Sequence, residues 1–346
     1  MVHLRIVVPS HQSGHALDLL ENTPSVCNLI FLERAAHRPQ GDVILCDVTR
    51  EDASVIVSDL KELDIHREGS IAMEDIDSQI SEAARRAEEA APGLPSDAVV
   101  WEEVESRTSE NVELSASFLA FMVLAMLIAA VGILTDQLIL IIGAMVVGPE
   151  FGPIAALSVA AVQRQIGLAR RSFAALAVGF VLGISVAFLF TLLLDLTGLI
   201  PSDFSQEGHP FTDFIANPDE FSLMVAFFAG MAGVLSLTSA KSGALVGVLI
   251  SVTTIPAAAN IGVAAALGDG EEWVGAMEQL ALNLSAIFLA SMGTLYVQRR
   301  LYLRRRKKHL HHEAREAAGL PLGRSRRAGS ATYERPDTGS YERPQA

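Results

Sequence analysis

GAMVVGPEFGP, residues 143–153, stands where an unbroken helix is expected. Apolar sequence runs on both sides of it for the length of a membrane crossing, yet the stretch holds three glycines, two prolines and Glu150. Proline has no N–H to give to a helix and crowds the preceding turn. A carboxylate near the bilayer centre costs several kcal/mol unless it is partnered. At membrane depth, irregular backbone persists only where protein buries it or a cavity faces it, because no water is there to satisfy it. The stretch therefore reads as the break in a discontinuous span. Gly148, Pro149 and Gly152 unwind it, and Pro153 opens a second half-helix, where a missing N–H costs little. Glu150 carries two readings. As a cap, it accepts bonds from the orphan amides of that half-helix. As a titratable site, it binds a proton or a cation.

Composition agrees with a membrane protein. The chain has 346 residues, half of them hydrophobic, and a mean hydropathy of +0.36. Residues 1–114 are polar and acidic, with 23 Asp and Glu against 9 Lys and Arg; residues 299–346 are basic, with 13 against 5 in the opposite sense. Between them lie six apolar stretches, near 115–134, 137–162, 172–197, 222–239, 243–267 and 273–297, each close to the roughly 20 residues a spanning helix needs. Arg164, Arg170, Arg171, Lys241 and the run RRLYLRRRKK (299–308) all fall on one side of a six-span arrangement. Acids occupy the other side, among them Asp136, Asp219 and Asp269, with no Lys or Arg. The positive-inside rule then places both termini in the cytoplasm of a multi-pass plasma (inner) membrane protein.

An internal repeat refines this picture. GAMVVG begins at Gly143 and GALVGV at Gly243, each early in the second span of a three-span half. Each is followed by residues hostile to a helix, GPEFGP (148–153) and TTIPAAAN (253–260). Three spans per half make the repeat inverted, and matched Pro/Gly-interrupted spans in two inverted halves point to a midplane transport site. The competing account is tight packing of small residues. On the first account, Thr253, Thr254, Pro256 and Asn260 form the second break, where Pro256 suits the first turn of a half-helix as Pro153 does, and Asn283 in the sixth span adds a polar group or bridges helices. VVWEEVESR (99–107), LTDQLILIIGAMVVGPEFGPIAAL (134–157) and SAKSGALVGVLISVTTIPAAANIGVAAALG (239–268) resemble the domain-of-unknown-function 389 family of hydrophobic prokaryotic membrane proteins. The resemblance covers roughly 98–298. It implies an architecture, and no substrate or catalytic residue.

The flanking regions read more simply. Period-2 alternation marks strands at 4–8, 28–33, 42–48 and 69–77, and helical patterns fall at 15–22 and 51–64. This βαββαβ order over 1–77 suggests a ferredoxin-like α+β cytosolic domain, a fold that implies no function alone. Residues 78–114 read as a helical linker. Cys27 and Cys46 lack CxxC spacing and read as free thiols. The pair His11 and His15 and the run HLHH (309–312) read as solvated rather than as metal sites. The tail 299–346, with YERP at 333–336 and 341–344, reads as basic and disordered.

No nucleophile–base pair, nucleotide loop or metal motif stands out, so an enzyme is not expected. No cofactor and no nucleic acid is expected either. The expected partners are membrane lipid, a small solute or ion, and further copies of the chain. The leading expectation is transport through a midplane site at the broken helices, with the cytosolic domain regulating or assembling it. The alternatives are a channel, or a non-transporting sensor or scaffold whose cytosolic domain binds a ligand or partner.

Overall fold

The structure, a computed structural model, describes residues 1–76, 78–91, 98–110, 112–200, 215, 219–239 and 253–325. The chain divides into two compact units, Met1–Pro92 with Arg305–Ala346, and Gly93–Arg304.

In the first unit, β1 (Val2–Val8), α1 (Ser13–Glu21), β2 (Val26–His37), β3 (Gln40–Val48), α2 (Arg50–Glu62), α3 (Ile65–Glu68), β4 (Ser70–Asp75) and α4 (Glu82–Ala90) follow in order. The four strands form one antiparallel sheet, in the order β2-β3-β1-β4. Along β1, alternation buries Val2, Leu4, Ile6 and Val8; Leu19, Leu20, Ile44, Val55, Ile56 and Leu60 are likewise removed from water. β2 is twice the length expected over 28–33. Its pairing with β3 shifts register twice, between Cys27 and Ile30 and between Leu32 and Ala36, and Asn28 and Arg34 take positive φ. Such bulges interrupt the period of two, which is why only the middle of the strand is legible as alternation. Cys27 and Cys46 are both free; burial pushes the Cys46 thiol up to about 12, so it stays protonated and inert at neutral pH.

Two aspartates on β3 make this unit acid-sensitive. Burial raises the carboxyl of Asp42, but the Ser13 hydroxyl, the Arg34 amide (2.7 Å) and the Ser10 hydroxyl donate to it and hold it below its ordinary value of 3.8. Asp47 is also raised by burial and lowered further by Asn28, His3 and Gln79, each at 2.7 Å. A carboxyl depressed in the folded state adds stability above its unfolded value, and loses it as pH falls through the folded one. Circular dichroism of the full chain is therefore expected to hold its strand signal down to about pH 4 and lose it below. Asp42→Asn should flatten that acid transition, and a strand signal already lost near pH 5 would contradict the assignment.

The second unit is helical: α5 (Trp101–Glu110), α6 (Ala116–Leu134), α7 (Leu138–Val147), α8 (Phe151–Gln163), α9 (Ile166–Leu196), α10 (Glu220–Thr238), α11 (Thr254–Leu267) and most of α12 (Gly270–His309). Helices α6, α9, α10 and α12 are long and apolar enough to cross a membrane, and α7 with α8 makes a fifth candidate, bent by 49° at residues 148–150. The chain is thus a multi-pass membrane protein with four or five candidate spans among the described residues. The fifth expected span, 243–267, falls partly outside the described residues, and its described part, α11, has 14 residues.

The expected break at 253–260 falls at the start of a helix, and residues 240–252 before it lie outside the described residues. Thr254 is the first residue of α11, so 254–260 are its opening turns. Pro256 does not interrupt them, because the first amides of a helix have no intrahelical acceptor to lose. The helices approach closely through small residues. A Cβ on Gly262 of α11 would stand 2.8 Å from the Ile184 carbonyl oxygen of α9.

The chain then returns to the first unit. Arg305 to His309 end α12, and α13 (Glu313–Ala317) follows. Here the expectation of a disordered tail over 299–346 fails for the described part. Arg315 pairs with Asp59 and, at 2.8 Å, with Glu62; Arg306 reaches Glu62 at 2.6 Å; His309 Nε2 lies 2.9 Å from Asp59. Asp59 and Arg315 are wholly buried. Two acids on one face of α2 thus bind charges brought from far along the chain, and ordering follows because a buried acid demands a partner. Tyr333, Tyr341 and the YERP repeats lie outside the described residues.

Candidate functional site

The kink between α7 and α8 is built by its residues. α7 ends at Val147, and Gly148 caps it in extended backbone (φ −63°, ψ 127°). Glu150 occupies the position before α8, and Pro153 its third residue, where no intrahelical bond is lost. The capping reading of Glu150 fails: its side chain bonds no amide of α8. Its backbone is already helical there (φ −66°, ψ −26°), outside the extended geometry that a side-chain cap requires. Instead Oε1 accepts from the Thr254 hydroxyl at 2.7 Å, 104 residues away in sequence. Glu150 is buried, and Oε2 has no hydrogen-bond partner among the described residues.

The N-termini of α8 and α11 thus meet through one hydrogen bond, and a polar cluster continues from it. Thr253 precedes α11, and its hydroxyl accepts from Asn283 Nδ2 at 2.9 Å and Gln279 Nε2 at 3.3 Å. Gln279 and Asn283 are one turn apart on α12, both are buried, and Gln279 donates to Asn283 Oδ1 at 3.5 Å. Gln279 Oε1 is a second buried acceptor without a partner among the described residues. Gln279 is absent from the sequence-derived site. The available signal is its spacing of four from Asn283 in an apolar helix, which places both on one face. Asn260 is not brought here: its amide donates to Glu272 at 3.0 Å.

Gly148, Pro149 and Gly152 line a cavity of about 330 Å³ together with Glu110, Glu113 and Ser115. Polar groups beyond the span thereby reach the break. Gly148 is also required for the carboxylate's seat. A Cβ there would overlap Glu150 Oε2 and lie 2.6 Å from Ile255 Cγ1. Gly148→Ala is expected to displace Glu150 from Thr254 and to destabilise the helical unit by about 1–3 kcal/mol, the cost of overpacking. Thermal unfolding in detergent checks this, and an unchanged midpoint would show that the carboxylate has room to spare.

Chemically, the site is rich in acceptors. A carboxylate oxygen and an amide oxygen, both buried, lack donors among the described residues. Such an arrangement suits a proton, a cation or the donor groups of a small solute. Residues 145–289 match the family model described as a domain of unknown function, DUF389. An uncharacterized protein of Methanocaldococcus jannaschii is 28% identical over 206 residues, which are 56% of this chain and 59% of that one. The chain therefore spans little more than half the length of that relative. No solved structure is similar. The break and its polar cluster, from Gly148 to Asn283, lie inside the segment that matches the DUF389 model.

Proposed function

We propose that the chain transports a small cation, or a small solute bearing a cationic group, through the site formed by Glu150, Thr253, Thr254, Gln279 and Asn283. The observation that carries this reading is the buried Glu150 carboxylate, with one oxygen on Thr254 and the other without a partner among the described residues, beside a kinked span. Intramembrane acids tend to be functional, and midplane sites of transporters form at discontinuous helices. Two parallels favour an inverted repeat of three plus three spans. Helices α8 and α11 both start beside the site, and each has proline as its third residue. The Lys and Arg distribution favours cytoplasmic termini, with the protein in the plasma membrane. For the first unit, the antiparallel order β2-β3-β1-β4 with helices after β1 and β3 favours a ferredoxin-like fold with a regulatory or assembling role. Copies of the chain are the expected assembly partners.

Flux into liposomes carrying the purified protein tests the function, with sodium, potassium, protons and methylammonium as the panel. Uptake of one of them above protein-free vesicles is expected; none above that background would sink the proposal. Orientation is tested by Asp269→Cys in a background lacking Cys27 and Cys46. An impermeant maleimide should label it from outside intact cells, and labelling only after lysis would reverse the topology.

A further inference from the structure

The first unit holds a cavity of about 510 Å³ that the proposed transport does not use. Its size falls in the range of small-molecule sites. Ser25, Asp52, Glu89, Arg305, Lys308 and His312 are among its lining. Ser25 is 3% exposed, and its hydroxyl has no partner among the described residues. An unsatisfied buried hydroxyl is uncommon and calls for an occupant. The Ser25 carbonyl accepts from the Thr49 amide at 3.1 Å, which holds the residue in place.

Three donors converge on the same cavity. Arg305 is anchored through Nη1 on the Glu51 carbonyl oxygen at 2.7 Å. Lys308 forms no ion pair among the described residues. His312 Nδ1 accepts from the Ala314 amide at 3.3 Å, so the neutral ring carries its proton on Nε2 and donates from there. Arginine, lysine, hydroxyl and imidazole N–H together form the donor set that a phosphate dianion takes. Asp52 and Glu89 complete the lining with the opposite charge. They repel a bare polyanion and accept hydrogen bonds from hydroxyl groups.

We propose that this cavity binds a phosphate monoester on a hydroxyl-bearing body, the class of sugar phosphates and mononucleotides. The cationic side takes the phosphate, Ser25 donates to it, and the two carboxylates take hydroxyls of the body. The site gives the first unit a soluble ligand, and its existence does not depend on which ion the helical unit moves.

Isothermal titration of the full chain in detergent tests it, with adenosine monophosphate, ribose 5-phosphate, inorganic phosphate and adenosine as probes. The two esters should bind at least about tenfold more tightly than inorganic phosphate, and adenosine should not bind. Lys308→Gln and Ser25→Ala should each weaken ester binding about tenfold, the loss of one charge-assisted bond. Lys308 is exposed, so its variant tests the site even if Ser25→Ala unfolds. Absence of binding by either ester at millimolar concentration would overturn the proposal. So would unchanged affinity in Lys308→Gln, or binding only to vesicles of phosphatidic acid, which would assign the basic residues to the lipid surface.

Discussion

Glu150→Gln is expected to abolish the cation dependence of flux while the protein folds at least as stably as the parent. Glutamine keeps the shape and retains an oxygen for the Thr254 hydroxyl, which now sits 2.7 Å from Oε1. What disappears is the capacity to carry a charge, on a carboxyl whose other oxygen has no partner among the described residues. A buried charge without a counter-charge is a cost to the fold, so neutralising it should leave the unfolding midpoint unchanged or raised. A bond between an ion and a charged ligand is worth roughly 1.5–3 kcal/mol, so cation affinity should fall about tenfold to a hundredfold. The two readouts move in opposite directions, which a structural role cannot produce. Were Glu150 a helix cap, the same change would lower stability by about 1 kcal/mol and leave flux alone. Flux titrations and thermal unfolding on the same preparation separate the cases.

Asp59→Ala is expected to be the most damaging single change in the first unit. It leaves Arg315 fully buried, with Glu62, shared with Arg306, as its one counter-charge among the described residues. Breaking a buried pair by removing one partner costs about 3–5 kcal/mol, chiefly because the remaining charge stays unpaired. The segment around α13 should detach, exposing 305–325 to limited proteolysis under conditions where the parent resists. Arg315→Met should cost less, since Asp59 keeps His309 and Arg306 within reach at 2.9 and 3.3 Å. Combining the two changes should restore part of the loss, and a strictly additive double variant would mean that the pair is not coupled.

These two sites also show what a sequence gives away. The break at 148–150 is legible because glycine, proline and an acid contradict their apolar surroundings, and the contradiction is local. The strands of the first unit are legible where alternation holds, and stop being so at the bulges of β2. The partner of Glu150 is not legible. Thr254 lies 104 residues away, and a threonine in an apolar stretch is ordinary. In TTIPAAAN the proline is legible as a helix start, and Pro256 stands as the third residue of α11, where its missing N–H costs little. The basic run after residue 299 misleads for a different reason. Lysine and arginine are usually solvated, so nothing in the run itself announces that Arg306 and Arg315 are buried; only the acids of α2 require it.

The discontinuity of the first unit has a consequence for biosynthesis. Asp59 and Glu62 leave the ribosome about 250 residues before Arg306 and Arg315, which complete their cluster. At roughly 5–20 residues per second, the interval is on the order of ten seconds to a minute. Throughout it, the sheet exists with two acids facing a surface that has no cover. The cluster closes only after every intervening helix has been translated, so a chain stalled or truncated within the helical half would keep that acidic surface open. Completion of the N-terminal unit therefore reports that the whole membrane half has been made.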